Sequence, residues 1–335
     1  MADVAAEDSA ERRTAFATAR QMCRREGGGE GGGAGGGGGA GEAYLASFFL
    51  PRAKRDGVYA VWAFARLVQR AVATEGGRCG DSCSGAGSIM PLLKSRIDAM
   101  YDSPHQLPLP QFRDESQWVL IAVAATMRRF DIPRKLWHDL IDGLVAFGGV
   151  QRIATWRSLD SHLAASGGNV GRIVAAVLGA SHSDAANFAA AIGRAMRLTI
   201  ILRDLNRDLA RDRLLLPLED LARFRYSERE MLANTINDSF RSLIRHEAGR
   251  ARELFREGVA GTCWLDGDGS RMAAAALVSL QLAQLDEVER APESILRNDN
   301  IGRKRPSLAA QLRQLPRAWR IAKRQAADPL PNLGS

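Results

Sequence analysis

Asp204 and Asp208 stand one helical turn apart in the run "LTIILRDLNRDLARDRLLLP", residues 198–217. The apolar residues of that run follow helical spacing, which puts both carboxylates on one face. Two carboxylates so placed can share Mg²⁺, an ion that takes oxygen ligands and keeps several waters for a diphosphate to displace. Arg203, Arg207, Arg211 and Arg213 crowd the same stretch, and guanidinium forks suit phosphate oxygens. The plainer reading is charge pairing along a solvated helix, and the spacing alone does not separate the two.

The elements that must position these residues are helices. From residue 43 onward Ala, Leu and Arg dominate, and alternating β-branched runs are nearly absent. The pattern predicts helices over 52–74, 88–101, 114–130, 133–145, 158–178, 184–209, 227–258 and 269–290. Breaks are expected at 76–87, at "SPHQLPLP", at Gly148–Gly149 and at "GDG". Helices of this number and length imply one all-α domain. The run "EGGGEGGGAGGGGGAGE" (26–42) cannot pack a core and reads as a flexible tether. It lacks the Lys-Ser/Thr that a phosphate-binding loop needs. The stretch 8–25 before it has only weak helical character.

Composition narrows the classes further. The 335 residues carry a formal charge of +8 and 46% apolar residues, which suits a globular protein whose charge serves an anionic partner or, equally, solubility alone. Cys79 and Cys83 lie four apart without a second pair or a nearby His, so they read as free thiols and not as a zinc site. The N-terminus is acidic and polar and no run of 18 apolar residues occurs, so neither a secretory signal nor a membrane span is expected. The segment 303–324 holds eight Lys/Arg, no acid and an interspersed Leu, Ile and Trp319, which suits a helix lying on anionic lipid or, equally, a solvated basic tail. Nucleic-acid binding has no aromatic platform or motif in its favour.

The 198–217 run resembles the second aspartate-rich segment of the squalene/phytoene synthase family. "YLASFFLPRAKRDGVYAVWAFAR" resembles that family's first helices, "LIDG" with "RIATWRSL" its central segment, "NVGRIVAAVLGA" the helix after it, and "LDEVER" its closing helix. The resemblance covers roughly 43–300, with a separate N-terminal segment over 1–42 and a basic tail over 301–335. It implies an all-α isoprenoid-synthase fold around a central cavity. It also implies Mg²⁺ held between two facing aspartate-rich helices, and prenyl diphosphates of farnesyl or geranylgeranyl type as substrates. By the same resemblance Asp204 and Asp208 are the catalytic metal ligands, and Arg66, Arg203, Arg211 and Arg213 hold diphosphate. The expected location is cytoplasmic, with peripheral association with a membrane as an option.

The chain departs from the family pattern at its first acidic motif, where Gln69, Arg70 and Ala73 stand in place of acids after Arg66. Arg and Ala cannot coordinate Mg²⁺, and Gln does so weakly. Ahead of Asp204 the chain has Arg197 and Ile200 where Gln and Asn are usual, and Phe147, Ile153 and Gln281 depart as well. Arg197 lies two turns before Asp204 and is expected to pair with it, filling the place of a metal. In the bland alternative Arg70 and Arg197 pair with Asp204 and Asp208 and bind nothing. Two functions follow: a diverged member that keeps the prenyl-binding fold without Mg²⁺-dependent condensation, or an active head-to-head prenyltransferase of squalene, hydroxysqualene or phytoene type.

Overall fold

A computed structural model of the chain describes residues 2–26, 40–76, 89–102, 115–296 and 313–324. The Gly-rich run, Cys79 and Cys83 therefore lie outside the described residues, as does most of the stretch between 297 and the last helix. The described helices are α1 (Ala2–Glu26), α2 (Ala40–Ala46), α3 (Arg52–Gly76), α4 (Ile89–Asp102), α5 (Glu115–Phe130), α6 (Arg134–Gly148), α7 (Trp156–Leu163), α8 (Asn169–Leu178), α9 (Ala185–Arg203) and α10 (Leu205–Leu209). They continue with α11 (Leu218–Arg223), α12 (Glu228–Leu232), α13 (Asp238–Val259), α14 (Ser270–Arg290), α15 (Glu293–Leu296) and α16 (Leu315–Ala322).

Two departures from the sequence expectation have clear causes. The predicted 227–258 helix is two helices, because Asn234 takes a left-handed backbone (φ 52) and the Asn237 side chain caps the backbone N–H of Phe240. The 158–178 helix is continuous but widens over Ala164–Gly168 into i→i+5 bonding between α7 and α8. α1 packs on α3 and α5 and buries Ala15, Ala19, Met22 and Cys23 at helical spacing, so it shares their core. One short parallel pair, β1 (Arg152–Ile153) with β2 (Leu214–Pro217), brings the segment after Asp208 beside the start of α7.

Two apolar clusters carry the fold. One joins α1, α3, α4, α5, α6 and α8; the other joins α9, α13, α14, β2 and α16. Trp62 of α3 packs against both. α9 is long and apolar enough to cross a membrane by composition, yet here it is a core helix packed on α8, α13 and α14.

Candidate functional site

A cavity enclosing about 1170 Å³ of space, its open mouth included, lies between the two clusters. α2, α3, α8, α9 and α14 wall it, with the widened turn at Ser166 and Gly167. Along α3 its lining runs from Val58 to Gln69, about 16 Å at 1.5 Å per residue. The walls close tightly where α9 meets the widened turn: a Cβ on Gly193 would stand 2.0 Å from the Gly167 carbonyl oxygen. At the Leu178 end Lys54 ties three elements together. Its Nζ donates to the Leu178 carbonyl (2.7 Å), Asp266 Oδ2 (2.7 Å) and Ser270 Oγ (3.1 Å), and pairs with Asp268 (2.9 Å).

The polar lining is sparse and of one sign. Apart from Ser47 and Ser166 it consists of Arg66, Gln69 and Arg197, and no lining residue is an acid. Arg66 is buried and donates from Nη1 to Gln69 Oε1 at 3.0 Å. The carbonyl that a cation would need from Gln69 is thereby engaged. Arg70 points away, to Glu115 at 3.3 Å on the exposed side of α3, and Ala73 is half-buried outside the cavity lining. Ile200 lines the wall one turn after Arg197.

The acidic motif sits just past that wall. α9 ends at Arg203, the backbone kinks at Asp204 (φ −94, ψ 12), and α10 resumes at Leu205. Asp208 N–H donates to the Asp204 carbonyl at 3.0 Å, so the one-turn spacing holds across the kink. Asp204 is 7% exposed, and its carboxylate is held by Arg203, with Nε to Oδ1 at 3.1 Å and Nη2 to Oδ2 at 3.4 Å. Arg203 also donates from Nη1 to Gln284 Oε1 (3.2 Å), and Gln284 Nε2 donates to Glu42. Burial opposes the charge on Arg203, but Asp204 more than restores it and its pKa is raised.

This corrects the expected pairing. Among the described residues Arg197 makes no hydrogen bond or ion pair within 4 Å, and its half-buried side chain holds an enclosed Nε with no acceptor. Burial lowers its pKa most; Asp208 and Asp204 act on it through space in the opposite sense, and Arg213 and Arg66 add to the lowering. Asp208 itself is pushed up by burial, against the pull of Arg197 and Arg213. Neither Arg197 nor Arg70 pairs with either aspartate.

The surroundings include groups with no sequence signal. His162 of α7 is 4% exposed, packs edge-on to Phe147 at 4.8 Å, and has no partner for either ring nitrogen. Burial, then Arg197 and Arg213, drive its pKa down to about 3, so it is neutral. Arg213 has an enclosed Nε without an acceptor, and its backbone N–H donates to the Asp208 carbonyl at 2.8 Å. The backbone of Arg211 bonds the same carbonyl at 3.0 Å. Gln281, fully buried on α14, has neither amide atom paired. Enclosed polar groups without partners cost free energy, and among them the Nε atoms of Arg197 and Arg213 are free to donate.

The residues present do not fit Mg²⁺. A divalent ion needs several oxygens from facing walls. Here α3 offers only the Gln69 carbonyl, already bonded to Arg66, Asp204 is neutralised by Arg203, and Arg197 and Arg213 act on Asp208. Among the described residues no three His, Cys, Asp or Glu come together to hold a metal.

Comparison with known proteins gives the same lineage throughout. The sequence model of the family described as "Squalene/phytoene synthase" matches residues 39–318. A phytoene synthase from Thermus thermophilus is 32% identical over 234 residues, covering 70% of this chain and 74% of that protein. A 15-cis-phytoene synthase from Synechocystis is 29% identical over 293 residues, covering 82% and 80%. Among solved structures, a dehydrosqualene synthase in complex with ligand superposes with a TM-score of 0.75 at 21% identity, covering 94% of this chain and 99% of that one. A squalene synthase from Alicyclobacillus acidocaldarius gives 0.63 at 21% identity, covering 82% and 97%. These structures share the all-α fold, and the family match runs through α2 to α16 with the cavity inside it. The chain belongs to the squalene/phytoene synthase family.

Proposed function

We propose that this protein binds an isoprenoid diphosphate of farnesyl or geranylgeranyl type through arginines instead of Mg²⁺, and does not carry out head-to-head condensation. The observation that carries this reading is the cavity lining: apolar over its length, with Arg66 and Arg197 as its charged groups and no carboxylate. A hydrocarbon tail gains from burial there, on the order of 25 cal/mol for each Å² of apolar surface removed from water. The diphosphate meets Arg66 and the unpaired Arg197, with Arg213 and neutral His162 as further donors behind them. Arg203 is committed to Asp204 and takes no part, and Arg211 contributes through its charge.

Condensation needs charge stabilisation on a departing diphosphate that strengthens as the bond breaks. Two or three guanidinium groups bring less positive charge to that anion than a cluster of divalent ions would, so they hold the diphosphate with less drive to ionise it. The second reading, an Mg²⁺-dependent transferase, draws on the one-turn spacing of Asp204 and Asp208. It requires Arg203 to leave Asp204, at the cost of burying both charges apart.

The test is turnover of radiolabelled farnesyl and geranylgeranyl diphosphate with Mg²⁺, beside equilibrium binding of the same compounds followed by tryptophan quenching through Trp62. Binding without product is expected, with affinity reduced at least tenfold in Arg197→Gln. A head-to-head product that disappears in Asp204→Asn would establish the transferase instead.

A further inference from the structure

α16 is anchored to the body by one face and leaves the other bare. Ala318 and Ile321 are buried against α14, Arg317 pairs with Asp286 at 3.7 Å, and Arg324 donates from Nη1 to the Ala260 carbonyl at 2.9 Å. Turned outward at one-turn intervals are Leu315, 36% exposed, Trp319, 54% exposed, and Lys323, which lies over the Trp319 ring at 4.5 Å. Arg313 and Arg320 flank them, both exposed and without an ion pair among the described residues. The segment 313–324 contains no acid.

This is an amphipathic surface of a specific kind. Most large apolar side chains in the described residues are covered, and an indole with over half its surface in water is expensive to leave bare. Indole rings with a cation alongside favour the boundary of a bilayer, where the ring enters the headgroup layer and the cation meets phosphate. A protein partner of matching shape would call for an acidic face. A lipid surface supplies negative charge without shape, which suits a stripe of one turn's width carrying three uncompensated cations.

We infer that α16 is a docking surface for anionic lipid bilayers, in which Trp319 and Leu315 insert at the headgroup level and Arg313, Arg320 and Lys323 face lipid phosphates. Each such cation strengthens binding about fivefold near an anionic surface, so the three together supply about a hundredfold. The inference stands on α16 alone and does not depend on what the cavity holds.

The experiment is co-sedimentation of the full chain with vesicles of phosphatidylcholine alone and of phosphatidylcholine containing phosphatidylglycerol, at low and high salt. Binding to the anionic vesicles is expected, weakened by salt and negligible on the neutral ones. Trp319→Ser and the triple variant Arg313→Gln, Arg320→Gln, Lys323→Gln should each bind more weakly, the triple by about a hundredfold. All four positions are exposed, so the variants keep the wild-type circular dichroism and Tm. Equal binding by wild type and triple variant, or equal binding to neutral vesicles, would overturn the inference. So would self-association in sedimentation velocity that Trp319→Ser abolishes, because the stripe would then belong to a second copy.

Discussion

Replacing Arg197 by Met should make the protein more stable and a poorer ligand binder at once. The side chain is nearly matched in length and loses its charge. In the wild type Arg197 Nε is enclosed without an acceptor, and no carboxylate of the described residues lies within ion-pair distance. An enclosed donor left unpaired costs about 1–3 kcal/mol, and Met removes that cost while filling the volume. The through-space attraction of Asp208 and Asp204 is lost, but Arg203 still holds Asp204 and Arg213 still faces Asp208. The net gain is about 1–2 kcal/mol, or roughly 1.5–3 °C in Tm for a domain of this size. Diphosphate loses a charged hydrogen bond worth about 1.5–3 kcal/mol, which weakens binding by roughly 10- to 150-fold. Urea denaturation and ligand titration on the same preparation measure the two effects. If Arg197→Met instead lost more than about 1 kcal/mol of stability, the upper end for a modest ion pair, Arg197 would be a structural partner of the aspartates and not a group held for an anion.

Three further outcomes follow from the same geometry. Asp204→Asn strips the partner from buried Arg203 and should destabilise by about 3 kcal/mol; a change below about 0.5 kcal/mol would mean the pair is solvated, and thermal melts decide it. Glu247, fully buried beside Arg250 and Asp220, is raised by burial to about 8, so the folded chain keeps a proton that the unfolded chain has released above about 4.5. Stability should therefore fall as pH rises through that window, and Glu247→Gln should flatten the fall; equal slopes in a pH series of denaturation curves would contradict it. Gly193→Ala would place its Cβ 2.0 Å from the Gly167 carbonyl oxygen, so α9 and the widened turn must part, with an expected loss of about 2–4 kcal/mol and a changed near-ultraviolet spectrum.

The helical pattern from residue 52 to 290 was legible because each helix buries one stripe, and apolar spacing records that stripe directly. α1 buries the same kind of stripe in Ala15, Ala19, Met22 and Cys23, but the polar residues around them and the Gly-rich run after them leave only a weak helical signal in the sequence. The absence of acids along this part of α3 could be read from Gln69, Arg70 and Ala73, since Arg and Ala offer a metal no oxygen, whereas the turn of Arg70 away from the cavity toward Glu115 could not. Which arginine holds Asp204 could not. Position along a helix gives the shared face of Arg197 and Asp204, whereas the pairing with Arg203 arises from the kink at Asp204 and from Gln284, which are tertiary facts. Glu42 and Gln284 meet across most of the sequence, and no local spacing announces that contact. His162 gave no signal either, because a lone His in an amphipathic helix does not reveal whether its ring nitrogens find partners.

The central question is whether the cavity holds a prenyl diphosphate by its own arginines. Isothermal titration of the wild-type protein with farnesyl diphosphate, once in Mg²⁺ and once in excess chelator, puts that question directly. The same affinity in both conditions, with the loss confined to variants of Arg66 and Arg197, is the predicted result. Binding that vanishes with chelator and returns with Mg²⁺ would contradict it, and would place a metal at Asp204 and Asp208 after all.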